Sequence, residues 1–455
     1  MMPRSFRGIA WTSMTLAVTL LPARGRAQET GRPTPVVTAA TSMVDRLARG
    51  DFSGATARFD STMTAVMPPP KLEEVWRTVE QQAGPFVAWT RTRTGSVQGY
   101  DVVTVIGAFA RDTIDIRVVF DQNGSIAGLF FRPHRKAPDR SAAVVPAPAA
   151  VAEREVTVGD GEWRLPGTLT TPSRGSGPFP VVVLVHGSGP NDRDETIGPN
   201  KPFRDLAWGL GSRGVAVLRY EKRTRQYRER LITHVGRFTV AEETVDDALA
   251  AVALVRNLST IDPDRVFVLG HSLGGMLAPR IARRDERIAG LIMLAGAARP
   301  LEDLIGDQVH YLAGLDSAIT DAERVRLEQI EQEMARVAAL TPADSSSGDL
   351  ILGAPASYWL DLRAYDPVAV ARSLSIPMLI LQGGRDYQVT GADLARWRDG
   401  LAGSPRVSFR EYSELNHLFI AGAGPSSPAE YETVGHVAPE VVADIAAWIE
   451  SLKGD

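Results

Sequence analysis

The segment that most restricts the fold is RVFVLGHSLGGMLAPRIA, residues 265–282, which sets glycines two positions before and two positions after Ser272. Its first residues are mainly β-branched or aromatic and predict a buried strand, whereas the later apolar spacing predicts a helix. Ser272 therefore lies where a strand turns sharply into a helix. Gly270 and Gly274 remove the Cβ atoms that would clash in such a turn. The alternative is a glycine-rich turn that happens to hold a serine.

Runs of valine, leucine and isoleucine alternate with helical segments through the last two thirds of the chain. This alternation predicts an α/β fold, in which helices cover both faces of a parallel sheet. The six runs are residues 180–185, 215–219, 265–269, 291–295, 376–381 and 407–412. A predicted hairpin of residues 154–158 and 163–172 precedes them. The sheet should therefore have eight strands, with Ser272 after the fifth.

The strand order and the G-x-S-x-G turn resemble the α/β-hydrolase superfamily over residues 153–453. Two further segments, HGSGPNDRDETIGPNKPF at 186–203 and RYEKRT at 219–224, resemble a branch of bacterial serine esterases. That branch lies close to the dienelactone-hydrolase, acyl-CoA thioesterase and prolyl-peptidase groups. The resemblance implies a mostly parallel eight-stranded sheet. It also implies a nucleophilic serine whose acid and histidine partners follow it in the chain.

A serine hydroxyl needs a base to remove its proton and an acid to orient that base. Three histidines follow Ser272. His310 lies in a predicted helical insertion, and His436 lies at the head of the last predicted helix. His417, in SELNHLF, follows the eighth strand on a loop at the carboxyl edge of the sheet. We therefore expect His417 to be the base.

The residues GGRDYQV follow the seventh predicted strand directly, and Gly383 and Gly384 allow a sharp turn there. Asp386 should then lie at the same sheet edge as His417, where its carboxylate would accept the Nδ1 proton of the imidazole. The family that the chain resembles carries its acid in this G-x-x-D-x-x-V setting. An aspartate in a surface turn is the alternative.

Acyl transfer also needs two backbone N–H groups that face the oxygen of the tetrahedral intermediate. We expect the N–H of Leu273 to be one of them, because it starts the helix next to the nucleophile. The second should come from the loop VHGSG, and we favour the N–H of Ser188 over that of Gly187. His186 is expected to shape this loop. The adjoining run NDRDE, residues 191–195, is either a solvated turn or a salt-bridged one.

About 80 residues separate the sixth and seventh predicted strands, where one crossover helix would need far fewer. This insertion, about residues 297–375, includes a long amphipathic helix that opens with a Thr320/Glu323 capping box. An aromatic segment follows, and we expect Tyr358 and Trp359 to line the substrate pocket under a helical lid. The alternative is a helical bundle that packs against the sheet rim.

Residues 28–132 predict a separate domain. Two amphipathic helices come first, and four strand patterns follow at residues 87–97, 100–108, 113–120 and 125–132, with the turn DQNG between the last two. This order predicts a small α+β domain with an antiparallel sheet. It resembles a domain of unknown function that precedes bacterial hydrolases. We find no catalytic set in it, and substrate binding or dimerisation are open roles.

Residues 133–152 are rich in proline and alanine and predict a semi-rigid linker before a catalytic domain at residues 153–455. Residues 1–27 combine early arginines, an uncharged apolar run and small residues at a cleavage site, which is typical of a secretory signal peptide. The apolar run is too short to span a bilayer. We expect a secreted or periplasmic protein without stable membrane insertion. An uncleaved anchor is the alternative.

The composition limits the other classes of protein. The chain has no cysteine, which excludes disulfides, thiolate metal sites and a cysteine nucleophile. The sequence contains no metal-binding, phosphate-loop or dinucleotide motif, so we expect neither a metal nor a cofactor. The basic run RYEKRTRQYRER, residues 219–230, resembles a nucleic-acid patch. The net charge of −4 instead favours a solvated loop and no nucleic-acid partner.

These features together predict a serine esterase that cleaves a small-molecule carboxylic ester through an acyl-enzyme intermediate. Ser272, Asp386 and His417 would be its triad. An exported serine peptidase or aminopeptidase is the alternative enzyme, since the same triad also cleaves amides. A binding protein with an inactive serine turn is the alternative of a different class. A homodimer is left open.

Overall fold

The computed structural model describes residues 35–97, 100–134, 147–227, 230–231, 238–315, 321–347 and 350–452. These residues divide into two compact units, a small unit of residues 35–134 and a large unit of residues 147–452. The predicted signal peptide, residues 1–27, lies outside the described residues. So do residues 135–146 of the predicted linker.

The small unit has helices followed by a four-stranded meander, which confirms the predicted α+β fold. Its helices are α1 (Pro35–Ala48), α2 (Phe52–Ala55), α3 (Ser61–Val66) and α4 (Pro69–Ala83). Its strands are β1 (Phe86–Val97), β2 (Tyr100–Phe109), β3 (Thr113–Phe120) and β4 (Ile126–Pro133). The strands pair antiparallel in chain order, and each predicted strand agrees with the observed one to within a residue.

The core of the small unit lies between helices α1 and α4 and one face of the sheet. Along β3, every second side chain from Ile114 to Phe120 is buried, as expected for a sheet with one face on a core. Trp76 of α4 is also buried, and the centroid of its ring lies 5.7 Å from that of Phe86 and 5.6 Å from that of Phe109. Aromatic packing of this kind contributes much of the apolar burial of a small core.

The large unit is built on the predicted eight-stranded sheet. Its strands are β5 (Val151–Val158), β6 (Leu165–Pro172), β7 (Phe179–Val185), β8 (Ala216–Tyr220), β9 (Ile261–His271), β10 (Gly290–Leu294), β13 (Met378–Gly383) and β14 (Val407–Tyr412). Their order in the sheet is β14-β13-β10-β9-β7-β8-β6-β5. Strand β6 is antiparallel to β5 and β8, and all the other neighbours are parallel. Strand β5 includes Val151 and Ala152, which the sequence analysis assigned to the linker.

Helices cover both faces of this sheet. They are α5 (Pro202–Gly211), α6 (Arg223–Gln226), α7 (Asp246–Arg256), α8 (Leu273–Arg284), α9 (Leu301–Ala313), α10 (Asp321–Ala339), α11 (Ala356–Arg363), α12 (Pro367–Ser373), α13 (Gly391–Gly400) and α14 (Pro439–Ser451). Along β7, Val182 and Leu184 face the core beneath α5, whereas Val181 and Val183 face the core beneath α7. Burial on both faces explains the unbroken apolar run of this strand.

The segment between β10 and β13 holds helices α9 to α12 and a short hairpin of β11 (Leu350–Ile351) and β12 (Ala354–Pro355). Helix α10 packs on the core of the large unit through Ile330 and Val337. Thr320 and the side chain of Glu323, the predicted capping box, lie outside the described residues. In the part of the chain that the structure describes, no helix has both the length and the apolarity to cross a membrane.

Candidate active site

Ser272 lies in the turn between strand β9 and helix α8. Its backbone angles, φ +54° and ψ −116°, are a strained combination for a residue with a side chain. A Cβ on Gly270 would collide with the carbonyl of Gly274, and a Cβ on Gly274 would collide with the carbonyl of Val185. The Ser272 N–H donates to the carbonyl of Leu294 on β10 at 2.9 Å. The two glycines therefore let a strained turn pack closely at the carboxyl end of β9.

Asp386 and His417 form a hydrogen-bonded pair at the carboxyl edge of the same sheet. Nδ1 of His417 lies 2.7 Å from Oδ2 of Asp386, and both side chains are buried. The other oxygen of Asp386 accepts the N–H groups of Gln388 and Val389, at 2.8 and 3.0 Å. Gln382 donates to Oδ2 at 3.2 Å. The carboxylate is thus held at both oxygens, which fixes the direction from which it meets the imidazole.

Two tight loops bring this pair together. A Cβ on Gly383 would lie 2.6 Å from the carbonyl of Leu415, so the loop after β13 passes directly against the loop after β14. Asn416 shapes the second loop, because its Oδ1 accepts the N–H groups of Leu418 and Ile420 at 3.0 and 3.2 Å. Only a glycine at position 383 permits this close approach.

The residue before the serine joins the serine turn to the histidine loop. Nε2 of His271 donates to the carbonyl oxygen of His417 at 2.9 Å, and the centroids of the two rings lie 4.6 Å apart. The segments that carry Ser272 and His417 are therefore hydrogen-bonded to each other.

The loop after β7, residues 186–189, passes against the serine turn, since a Cβ on Gly187 would lie 3.1 Å from Cβ of Ser272. The Gly187 N–H donates to Oε1 of Glu195 at 2.7 Å, and its carbonyl accepts Nζ of Lys222 at 2.7 Å. Glu195 and Lys222 are both buried. Charged groups therefore hold the backbone of Gly187 at its N–H and at its carbonyl.

These contacts bear on the predicted oxyanion donors. The N–H of Gly187, the alternative donor, already has a carboxylate acceptor. The N–H of Leu273 begins α8 and so has no acceptor within the helix. Among the described hydrogen bonds, none is donated by the N–H of Ser188. Leu273 and Ser188 stay the predicted donors.

A model of the alpha/beta hydrolase family matches residues 182–445, more than half of the chain. The chain belongs to the alpha/beta hydrolase family. A second family model, described as a protein of unknown function (DUF3887), matches residues 40–129 of the small unit. Esterase EstD of Thermotoga maritima is 39% identical to this hydrolase over 406 residues, which are 89% of this chain and 93% of that protein.

Two other comparisons are more distant. Phospholipase YtpA of Bacillus subtilis is 24% identical over 251 residues, which cover 53% of this hydrolase and 88% of that protein. The solved structure of Est1E from Butyrivibrio proteoclasticus is 16% identical, with a TM-score of 0.43. That match covers 66% of this chain and 98% of the other.

The other two histidines that follow the serine lie on the surface of the hydrolase. The His310 side chain is 62% exposed, and its Nε2 lies 3.3 Å from Glu331. The His436 side chain is 67% exposed, and its Nδ1 lies 3.1 Å from Asp205. Of the three candidate bases, His417 is therefore the one that is buried against a carboxylate.

The charged run at residues 191–195 is a salt-bridged turn, which decides between the two alternatives. Asp194 lies 2.9 Å from Nζ of Lys201 and also pairs with Arg219. Arg193 lies 3.1 Å from Glu221. The run therefore ties the loop after β7 to strand β8 and to the residues that follow it.

The prediction of a solvated loop at residues 219–230 is wrong for its first half. Arg219 and Lys222 are buried. Nζ of Lys222 lies 3.2 Å from Glu243, and Arg223 donates to Asp247 at 3.1 Å. The carboxylates that neutralise these cations come from other elements of the fold. Such partners are not visible in a local stretch of sequence.

His186 is the first residue of the loop after β7 and is buried, in agreement with the expected shaping role. Burial disfavours its charged form and lowers the pKa of His186 to about 4. The neutral ring donates from Nε2 to the carbonyl of Asp192 at 3.1 Å. Its ring also lies against the rings of Phe203 and Tyr220.

The two predicted pocket residues lie on α11 of the insertion and are buried. The hydroxyl of Tyr358 donates to Oε2 of Glu243 at 2.8 Å. The indole N–H of Trp359 donates to the carbonyl of Ile351 at 2.8 Å, and the side chain is fully buried. Trp359 thus presents no accessible surface to a ligand in this structure, which favours the packing alternative. Substrate contact by either residue stays a prediction.

The sequence analysis missed four charged or titratable side chains beside the site, namely Glu195, Lys222, Glu243 and His271. One signal was available, because His271 occupies the variable position before the serine in G-x-S-x-G. Glu195 lies in the charged run at residues 191–195 and Lys222 in the run at residues 219–230, whereas Glu243 lies in a segment without a recognised motif. Their burial depends on contacts between distant parts of the chain.

Proposed function

We propose that this hydrolase is a serine esterase in which Ser272 is the nucleophile, His417 is the base and Asp386 orients the base. The observation that carries the proposal is the 2.7 Å contact between His417 and Asp386, at the sheet edge that also holds a serine in a strained turn. The identity of 39% to an esterase over most of both chains supports an ester as the substrate.

In the first half of the proposed reaction, Asp386 accepts the Nδ1 proton of neutral His417, which leaves Nε2 free to accept a proton. Nε2 takes the proton of the Ser272 hydroxyl as Oγ attacks the carbonyl carbon of the ester. The N–H groups of Leu273 and Ser188 would stabilise the oxyanion, and each is worth about 10²- to 10³-fold in rate. The alcohol then leaves with the proton from His417, and the acyl group stays on Ser272.

In the second half, water replaces the alcohol. His417 takes a proton from the water as its oxygen attacks the acyl carbon. When the intermediate collapses, the carboxylic acid leaves and the proton returns to Oγ of Ser272. Asp386 stabilises the imidazolium of His417 in both halves without itself being protonated. The proposed chemistry uses side chains, backbone N–H groups and water, with no cofactor.

We further propose that the hydrolase is exported, to the periplasm or the medium, and acts there on a small-molecule ester. The support is the pattern of residues 1–27, which combines a basic start with an uncharged apolar run and small residues.

The test is a comparison of Ser272→Ala with Ser188→Ala, a control that removes a hydroxyl but keeps the backbone N–H. A fluorophosphonate probe should label the wild type and Ser188→Ala but leave Ser272→Ala unlabelled. Turnover of a nitrophenyl ester by Ser272→Ala should fall by about 10⁴- to 10⁶-fold. Equal labelling of all three proteins would refute the assignment of the nucleophile. A higher kcat/KM on aminoacyl nitroanilides than on nitrophenyl esters would make the enzyme a peptidase.

A further inference from the structure

A second buried pair of a histidine and a carboxylate lies beside the proposed triad. Nδ1 of His271 is 2.9 Å from Oε2 of Glu195, and the two side chains are 6% and 2% exposed. The proposed reaction uses neither residue. Burying such groups costs several kcal/mol unless they are paired, so their presence here needs an explanation.

Glu195 and His271 connect the three segments that the proposed reaction must align. The carboxylate accepts the N–H of Gly187 at 2.7 Å, in the loop that precedes the proposed donor Ser188. His271 is the residue before Ser272. Its Nε2 donates to the carbonyl of His417 at 2.9 Å. One chain of contacts therefore runs from the oxyanion loop through the serine turn to the loop of the base.

Nε2 of His271 donates to the carbonyl of His417, whereas Nδ1 faces the carboxylate of Glu195 at the ion-pair distance of 2.9 Å without the geometry of a hydrogen bond. The neutral ring and the imidazolium can both donate from Nε2, but only the imidazolium carries the positive charge that attracts the nearby carboxylate. Burial opposes the charge, but the carboxylate of Glu195, together with the carbonyl of His417 and the carboxylate of Asp386, outweighs burial and raises the pKa of His271. The geometry and the electrostatics both favour a cationic His271 paired with an anionic Glu195.

The other titratable groups around this pair are accounted for. The carboxylate of Asp386 also favours the cation on His271. The ring of His417 lies 4.6 Å from that of His271 and meets it through a backbone carbonyl. His186, which also acts on Glu195, is held neutral by burial. Lys222 donates to the carbonyl of Gly187, whereas Glu195 accepts the N–H of that residue.

We propose that Glu195 is a positioning residue of the esterase reaction, and that together with protonated His271 it holds the oxyanion loop, the serine turn and the His417 loop in their reactive arrangement. The proposal rests on the proposed function. Productive geometry in a site of this kind has a tolerance of about 0.5 Å. Loss of one anchor that links three loops should therefore weaken binding of the transition state more than binding of the substrate.

The first experiment compares Glu195→Ala with Glu195→Gln. The glutamine amide oxygen can still accept the Gly187 N–H, and its NH₂ can donate to Nδ1 of a neutral His271, which keeps Nε2–H for the carbonyl of His417. We expect Glu195→Ala to lower kcat on a nitrophenyl ester by about 10²- to 10³-fold. We expect Glu195→Gln to recover kcat to within about tenfold of the wild type. KM should change by less than about threefold in both.

Asp393→Ala is the matched control for general destabilisation. Asp393 is also a fully buried carboxylate, and it accepts the N–H groups of Ala298 and Arg299 at 2.9 and 3.1 Å. It should lower stability and leave kcat of the folded enzyme near that of the wild type. Equal losses of kcat in Glu195→Ala and Asp393→Ala would overturn the positioning role. So would a rise in KM at unchanged kcat in Glu195→Ala, or an equal loss in Glu195→Gln.

The second experiment does not depend on whether Glu195→Ala folds. Ring-¹⁵N NMR of wild-type protein with labelled histidine should show His271 more fully protonated at pH 7 than a histidine of ordinary pKa, about 6.5. The signal is assigned by its loss in His271→Asn, and it should become that of a neutral ring in Glu195→Gln. A His271 ring that is no more protonated at pH 7 than an ordinary histidine would overturn the proposal.

The Ser272→Ala variant distinguishes a failure of the proposed function from a failure of the positioning role of Glu195. If that variant keeps its activity, the proposed function fails, and the positioning role falls with it. If Ser272→Ala is inactive while Glu195→Ala keeps kcat within about threefold of the wild type, the proposed function stands and only the positioning role fails.

Discussion

The two units of the chain differ in what they bury. In residues 35–134, every buried side chain among those whose burial is described is apolar. The large unit also buries charged and titratable groups such as Glu195, Lys222, Asp386 and His417. A buried polar group costs free energy unless it is paired, so a fold tends to keep such groups where loop placement or chemistry requires them. These buried charged groups lie near one edge of the sheet, which independently indicates the position of the candidate site.

Among the described residues, the small unit exposes four large apolar side chains and the large unit exposes two, Leu350 and Val434. The small unit exposes Val87, Trp89, Tyr100 and Phe130 on three strands of its sheet. Its helices and sheet form a core without buried polar groups among its described side chains. Substitutions in the small unit should therefore leave the chemistry intact, whereas substitutions of the buried charged groups around the candidate site should not. The following predictions test this contrast.

The largest expected effect is on catalysis by the large unit. Asp386→Asn should reduce kcat by about 10⁴-fold, because an amide no longer fixes the tautomer of His417 or stabilises its imidazolium. The neutral residue can still accept the N–H groups of Gln388 and Val389, so folding should survive. Asp393→Asn changes an equally buried carboxylate that pairs with Arg299. It should keep kcat within about tenfold. A kcat of Asp386→Asn within tenfold of the wild type would contradict the assignment of the acid.

The next prediction compares the replacement of one buried tryptophan in each unit. Trp359→Ala and Trp76→Ala should each lower the free energy of unfolding of their own unit by about 3–5 kcal/mol. Only Trp359→Ala should reduce kcat/KM, by about tenfold, because the neighbouring Tyr358 binds Glu243 and Glu243 pairs with Lys222.

The dependence on acyl length decides what Trp359 does. Since the side chain is fully buried, we expect kcat/KM of Trp359→Ala to fall equally for short and long acyl esters. A fall confined to long acyl chains would instead place Trp359 in the substrate pocket. An equal fall in Trp76→Ala would show that the small unit takes part in the reaction and would break the contrast between the units.

The smallest effect is on stability at acid pH. The pKa of buried His186 is about 4, against about 6.5 in an unfolded chain, so the unfolded state binds more protons between these values. Stability should fall as the pH is lowered through this window, by about 3 kcal/mol from this residue. His271 has a raised pKa, so its contribution is complete below about 6.5 and is lost only at higher pH.

Guanidinium-induced unfolding at pH 7 and at pH 4.5 tests whether the free energy of unfolding falls on acidification. In His186→Asn, which keeps a donor for the carbonyl of Asp192, the loss of stability on acidification should be smaller than in the wild type. If His186→Asn and the wild type lose the same free energy of unfolding between pH 7 and pH 4.5, His186 is not a buried neutral histidine.

The strands and the serine turn were predictable because their causes are local. Apolar runs of five or six residues mark strands buried on both faces, and glycines mark the turn at Ser272 where Cβ atoms would collide. Asp386 and His417 were predictable for a related reason. Each follows a parallel strand, and the carboxyl ends of parallel strands meet at one edge.

The buried charges were not predictable from local sequence. Arg219, Lys222 and Arg223 read as a solvated basic run, yet their carboxylates come from other segments, such as Glu243 and Asp247. The aromatic residues of α11 were assigned to a pocket, but burial of Trp359 depends on how α11 and the short hairpin pack together. Pairing across long sequence separations is a property of the folded chain.

The sequence by itself determined the order of strands and helices, the position of the strained serine and the residues that could partner it, because periodicity, glycine placement and chain order act over short distances. Only the tertiary structure decided that Asp386 meets Nδ1 of His417, that the N–H of Gly187 is taken by Glu195, and that His271 lies between an anion and a carbonyl. Those facts depend on which loops touch, and a polar group is costly or useful according to the neighbour that the fold brings to it.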